Sequence, residues 1–299
     1  MEKIEAITRA VRRASVRAMR RLQERMWVLV GSSAEMLLPD LAREIDEGRG
    51  SGRALKLKRA IVRSRLWRAE RSSDPAAIEQ ALLDRWRSDV DDGFYTTFIK
   101  RFDRWFYGPH YCLINALADA VAANPGFARL VEVGCGDGRA LAHLAQRLPR
   151  LQELVGLDIN ARIIARNVEA YGDCPRLRFI HGDARECLAK EIRDGIIFFS
   201  YGGVLEYFRE AEVALILARL GRCRDSAVAL VEPVDRRHDL VRDAGSHVHG
   251  LERSFSHNHL ALLAAAEFNI RYTEELTTDG IRWMMIVATR SPPMAPTES

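Results

Sequence analysis

Residues 131–140 read VEVGCGDGRA: an apolar run, glycines at 134, 136 and 138, and the start of a helix-like segment. Glycine lacks a Cβ, so it turns the chain sharply and lets another group approach the backbone. One tight turn needs one such residue. Three at alternate positions between a strand and a helix make a bare loop at the carboxyl end of the strand, beside the unpaired N–H groups of the helix N-terminus. A dinucleotide site would want G-x-G-x-x-G, but Arg139 occupies the place of the third glycine. That weakens the dinucleotide reading.

Outward from this loop, short apolar runs alternate with helical patterns. Strands are predicted at Arg129–Val133, Glu153–Leu157, Arg178–Ile180, Gly195–Ser200, Ala227–Val231, Phe268–Glu274 and Arg282–Thr289. Helices fall between the first five and again at about 256–268. The last two strands are joined by a turn near Thr278–Asp279–Gly280. Such a series predicts an α/β fold: a seven-stranded, mostly parallel, doubly wound sheet with one antiparallel strand.

The chain before residue 94 differs in character. Ile4, Ile7, Val11, Ala14, Ala18 and Leu22 recur at helical steps, with arginines on the other face. DEGRGSGR (46–53) reads as a loop, and Ser73–Asp74–Pro75 as the start of a helix. Residues 1–71 hold 18 Lys and Arg against 9 Asp and Glu; the remaining 228 hold 27 against 32. The overall charge of +4 hides this split. The reading is a basic N-terminal helical region over 1–93, an α/β domain over 94–290, and a disordered tail over 291–299.

The bulk composition, 47% hydrophobic and 29% charged over 299 residues, is that of a globular protein. The apolar stretch Met26–Leu38 is too short to span a bilayer. No cleavable leader pattern is visible, and a cytoplasmic location is expected. Five scattered cysteines without a C-x-x-C pair suggest neither a disulfide framework nor a zinc site.

With these features in place, EVGCGDG (132–138) resembles the first motif of class I S-adenosylmethionine-dependent methyltransferases. Three further matches follow in order: LVGLDIN (154–160), FIHGDARE (179–186) and DGIIFFSYGGVLEYF (194–208). The resemblance covers about residues 94–290. It implies that S-adenosylmethionine is bound by Glu132, Gly134, Cys135, Gly136, Gly138, Asp158, Ile159, Asp183, Ala184 and Ser200. Glu132 would meet the donor's ammonium group, Asp158 its ribose hydroxyls, and Asp183 with Ala184 its adenine. Tyr107 and Tyr111, in the aromatic stretch 94–111, would close over it. A helix-capping role for any one of these carboxylates competes with the ligand role.

Methyl transfer is an in-line displacement, for which proximity supplies much of the rate. A base is needed only where the nucleophile carries a proton. The candidates are His110, His247, His249, His257, His259 and Tyr201. SHVHGLERSFSHNH (246–259) contains two H-x-H pairs, yet only Glu252 among them is acidic. That stretch is read as a solvated or substrate-facing loop with no metal.

The expected acceptor is a small molecule or peptide, methylated on oxygen or nitrogen. The basic arm keeps an RNA acceptor as an alternative. It is also compatible with a homodimer seam, a lid that shapes the acceptor pocket, a membrane-surface helix or an interaction module. Against RNA stands S-Y-G-G (200–203), where an amino-methylating enzyme would carry an N/D-P-P-Y-like motif.

Overall fold

The computed structural model describes residues 19, 22–49, 52, 54–72, 74–88, 101–250 and 253–290. Most of the basic stripe from Ile4 to Ala18, residues 94–100 of the aromatic stretch, Glu252 and the tail over 291–299 lie outside them. The chain divides into two compact units, residues 1–91 and 92–299.

The first unit contains α1 (22–37), α2 (Pro39–Asp46), α3 (Leu55–Ser72) and α4 (Pro75–Arg87). Ala34, Ile45, Ile61 and Val62 form its core. Close approach of α1 to α3 depends on Gly31, where a Cβ would stand 1.9 Å from the carbonyl oxygen of Ala60. The Asp74 side chain caps α4, accepting from the N–H of Ala76 at 2.9 Å, with Pro75 in the first turn. Lys58 is buried and paired with Glu44 at 2.5 Å. Met19, Leu22, Met26, Leu29 and Met36 recur at helical spacing and stay exposed.

In the second unit a helical stretch, α5 (101–106), leads to α6 (Tyr111–Ala123) and then to the alternating series. The series is β1 (Arg129–Val133), α7 (Arg139–Arg147), β2 (Glu153–Asp158), α8 (Ala161–Tyr171), β3 (Leu177–His181), α9 (Ala184–Glu191) and β4 (Ile196–Tyr201). A short 3-10 turn (Leu205–Tyr207), α10 (Glu210–Leu220) and β5 (Ala227–Val234) follow. Next come β6 (His247–His249), β7 (Ser254–Ser256), α11 (His259–Ala265), β8 (Asn269–Thr278) and β9 (Ile281–Thr289).

The main sheet has seven strands in the order β3-β2-β1-β4-β5-β9-β8, with β9 antiparallel to both neighbours. This is the expected fold class. Central strands buried on both faces read as continuous apolar runs. Leu130, Ile197, Phe199 and Ala229 face a core shared with α6, α7 and the aromatic side chains of α5; Val131, Phe198, Val228 and Leu230 face one shared with α9, α10 and α11.

Two expectations are corrected. The stretch 246–259 is not a plain loop into the last helix, since β6 and β7 pair as an antiparallel hairpin. The last helix is also shorter than 256–268, because Asn258 caps it by accepting from the N–H of Ala261 at 3.1 Å. It ends at Ala265, and Glu267 just beyond takes a left-handed φ of 60° where a glycine would turn without strain.

Gly31→Ala is expected to destabilise the helical unit by about 1–3 kcal/mol, because the new methyl meets backbone rather than a movable side chain. Thermal unfolding of the full chain checks this. An unchanged profile would mean that α1 and α3 do not pack this closely.

Candidate active site

Strand register decides which residues meet at the carboxyl edge. Val133 pairs with Leu157 on one side and Ser200 on the other, so Gly134, Asp158 and Tyr201 emerge side by side. The strand order reverses between β1 and β4, the place where doubly wound sheets hold their ligands.

The glycine loop takes the left-handed backbone that its composition favours: φ is 67° at Gly134, 51° at Gly136 and 74° at Gly138. The three glycines serve different ends. A Cβ at Gly134 would strike Val204 at 2.5 Å, and one at Gly138 would strike Tyr171 at 2.9 Å. At Gly136 a Cβ would meet nothing within 4 Å. The first and last are therefore packing requirements, and the middle one faces open space.

Asp158 fastens this loop. Its Oδ2 accepts from the N–H of Gly136 at 3.0 Å, and its Oδ1 from that of Asn160 at 2.9 Å. Each oxygen keeps lone-pair capacity for another donor. Burial raises the Asp158 carboxyl to about 6, against the stabilising pull of those two N–H groups. Asn167 of α8 closes the other side, donating from Nδ2 to the Gly136 carbonyl at 2.7 Å.

Glu132 differs from the other carboxylates. It is 2% exposed, and its Oε2 has no hydrogen-bond partner among the described residues. Burial, then the nearby Asp137 and Asp158, pushes its carboxyl well above the usual range. An acid this isolated suits an incoming cation with N–H donors. Asp183, by contrast, caps α9 through the N–H of Arg185 at 2.9 Å and pairs with the Arg185 guanidinium. Here the capping role is realised. Ile159 and Ala184 are half-buried beside these carboxylates, and Cys135 is buried with its N–H bonded to the Leu157 carbonyl.

The aromatic segment divides between core and rim. Phe102, Trp105 and Phe106 are buried, whereas Tyr107 is 51% exposed. The Tyr107 and Tyr111 hydroxyls both contact the His143 ring of α7, at 3.4 and 3.3 Å. Arg139, at the start of α7, pairs with Asp103 at 3.1 Å and lies over the Phe102 ring at 4.4 Å. The segment thus rests on the first turns after the glycine loop. His110 is buried, its Nδ1 3.1 Å from the Tyr201 hydroxyl, and its Nε2 has no partner among the described residues. Burial lowers His110 to about 4 and raises Tyr201, to which Glu132 adds.

The other four candidate histidines separate into two pairs. His257 and His259 are buried. His257 is lowered to about 4 by burial, so it is neutral; its Nε2–H donates to the Leu205 carbonyl at 3.0 Å while Nδ1 accepts from Ser246 Oγ at 2.6 Å. It holds backbone. His247 and His249 are half-buried on β6, with His247 Nε2 3.2 Å from Asp235.

Sequence reasoning passed over His143, Asn167 and Glu232. Glu232 is the lone carboxylate in the buried strand AVALVEPV, a signal that was visible. It is fully buried, and its Oε1 accepts from Ser200 Oγ at 2.5 Å. Its Oε2 accepts from the N–H groups of Val204 and Leu205, both at 3.1 Å. Ser200 thereby faces β5 and holds this carboxylate.

Residues 130–225 match a family model described as a methyltransferase domain. Over these residues the chain is similar to methyltransferase domains. Over 60 residues the chain is 42% identical to trans-aconitate 2-methyltransferase of Deinococcus radiodurans, a match over 20% of this chain and 22% of that one. The chain thus spans about a fifth of the length of that curated relative. Among solved structures, magnesium protoporphyrin IX methyltransferase from Synechocystis PCC 6803 with bound SAM is 19% identical, covering 68% of this chain and 95% of its own, with a TM-score of 0.45. The 1,6-didemethyltoxoflavin-N1-methyltransferase of Burkholderia thailandensis is 17% identical over 67% of this chain and 88% of its own, with a TM-score of 0.44.

Glu232 generates a prediction about stability. Burial pushes its carboxyl up to about 7 in the fold, from about 4.5 in an exposed chain. The folded state therefore binds more protons between those values, and stability falls as pH rises through that window. Gln can keep the bonds, its oxygen accepting from Val204 and Leu205 while its NH2 donates to Ser200. The melting temperature of Glu232→Gln relative to the parent should rise between pH 5 and pH 7.5. A difference independent of pH would refute the assignment.

Proposed function

We propose that the protein transfers a methyl group from S-adenosylmethionine to a small-molecule acceptor, and that the donor lies across the glycine loop. The observation that carries this reading is Glu132: a buried carboxylate oxygen without a partner, beside a loop whose middle glycine opens onto empty space. When bound, the donor supplies an electrophilic methyl on a positively charged sulfur.

The rest is done by the protein's own groups. Glu132 receives the donor's ammonium. Asp158 uses the spare lone pairs of its oxygens for the ribose hydroxyls. Gly136 lets the methionine portion lie against the backbone, while Gly134, Cys135 and Gly138 keep the loop in shape. Ile159 packs near the nucleoside, and Asp183 and Ala184 reach the adenine from the start of α9. Tyr107 and Tyr111, braced on His143, cover this region. Ser200 acts at one remove, tying the loop after β4 to Glu232.

Calorimetry with S-adenosylhomocysteine tests the donor site. Burial raises the proton affinity of Glu132, so binding an ammonium is expected to release a proton and affinity to rise with pH. The binding enthalpy should therefore vary with the ionisation enthalpy of the buffer. Glu132→Gln should remove that dependence and weaken binding about 10- to 100-fold, the value of a charged hydrogen bond. Absence of binding at millimolar ligand would end the proposal; binding without proton release would remove Glu132 from it.

For the chemical step we favour proximity over a histidine base. His110, lowered to about 4, is a weak base, and the Tyr201 beside it is hard to ionise. This buried pair shapes the wall next to the transferring methyl. Tyr201→Phe and His110→Asn are expected to keep turnover within about tenfold of the parent with donor binding intact. A loss of about 10²-fold or more would instead mark a proton-transfer role.

A further inference from the structure

The sequence sets only Glu252 beside the two H-x-H pairs, but the fold brings other acids to them. The loop leaving β5 carries Asp235, His238 and Asp243 back against the β6–β7 hairpin. The rings of His238 and His247 come to 4.6 Å between centroids. One donor atom each from His238, Asp243 and His247 lies within 4.8 Å of the others.

We propose that His238, Asp243 and His247 form a binding site for one divalent first-row transition metal ion, with zinc as the representative. Two imidazoles and a carboxylate suit such an ion and disfavour magnesium or calcium, which take oxygen ligands. Metal–nitrogen bonds of about 2.1 Å put two donors on one ion no more than about 4.2 Å apart. The donor atoms, within 4.8 Å of one another, therefore need to close by no more than about 0.6 Å to share one ion. Three protein ligands leave a further position open for water or an oxygen of a bound molecule.

The surroundings resemble a metal site's outer layer. Ligating histidines characteristically present their second nitrogen to a carboxylate or other oxygen. Here His247 Nε2 is 3.2 Å from Asp235 Oδ2, leaving Nδ1 for an ion. His238 Nδ1 is 2.8 Å from Ser256 Oγ, and its Nε2 lies 3.2 Å from the Asp243 carbonyl. The loop is held from outside. Arg282 Nη1 donates to the carbonyls of Asp235 and His238 at 3.0 and 2.7 Å, and Asn258 Nδ2 to those of Leu240 and Asp243 at 2.8 and 3.0 Å. His249, whose buried Nε2 has no partner among the described residues, stands on the same strand. The competing account is a hydrogen-bonded cluster alone, in which His238 Nε2–H donates to the Asp243 carbonyl and no ion binds.

Cobalt titration of the tag-free, metal-stripped full chain separates the two, independently of any methyl transfer. The expected result is one equivalent of Co²⁺ giving visible absorption bands of a protein-bound site, displaced by one equivalent of Zn²⁺. His247→Ala and Asp243→Asn, both at accessible positions, should each weaken binding tenfold or more while the thermal transition is retained. His181→Ala, on the exposed end of β3, should bind as the parent does. Absence of the cobalt bands, or bands that survive both His247→Ala and Asp243→Asn, would overturn the proposal.

Discussion

The carboxyl edge of the sheet is organised by one hydrogen bond, from the N–H of Gly136 to Oδ2 of Asp158. Its donor belongs to the loop after β1 and its acceptor to the last residue of β2. The bond therefore converts strand register into loop position. Three left-handed glycines in five residues are costly to order, and without a fixed acceptor the loop would sample many shapes. The bond to Asp158, the Asn167 contact on the opposite side and the packing of Gly134 on Val204 leave one conformation. A small, weakly constrained sequence element becomes a rigid surface by borrowing the rigidity of the strands beneath it.

That edge is electrostatically tense. Glu132, Asp158 and Glu232 are all nearly inaccessible, and each has its proton affinity raised by burial. Their resolutions differ. Glu232 is surrounded by three donors of the protein itself, so its role is internal. Asp158 is half satisfied: each oxygen has one donor and room for a second. Glu132 lacks a partner on one oxygen. The three thus grade from fully hydrogen-bonded to unpartnered on one oxygen.

Much of this was legible in the chain. The apolar runs marked all seven strands of the main sheet to within a few residues. The signal is strongest in the central strands, which are buried on both faces, whereas the edge strands β3 and β8 are partly to largely exposed. The glycine loop was readable because left-handed backbone selects composition. What stayed hidden depended on contacts between distant segments. His143 on α7 looks like any polar helical residue until Tyr107 and Tyr111 fold onto it. The β6–β7 hairpin escaped because its strands have three residues each and are rich in Ser and His, too short for a period to show. Asp183 illustrates the opposite limit. Its position was read correctly, but the sequence alone did not say that capping α9 and pairing with Arg185 would occupy much of its capacity.

The loop after β4 shows why the histidines do not dominate this edge. Gly202 and Gly203 take φ values of 86° and 88°, so the chain folds back sharply as it leaves Tyr201. Glu232 holds the next two N–H groups, and His257 holds the carbonyl of Leu205 from the other side. Both polar directions of the backbone are thus spent on the protein. A loop fastened in this way has little freedom to remodel. At the rim of this edge stand Tyr107 and Tyr111, whose hydroxyls both meet His143 and whose rings both pack on Phe106. The buried carboxylates and the ring cluster thus sit on separate elements: Glu132, Asp158 and Glu232 on strands, Tyr107 and Tyr111 around the start of α6.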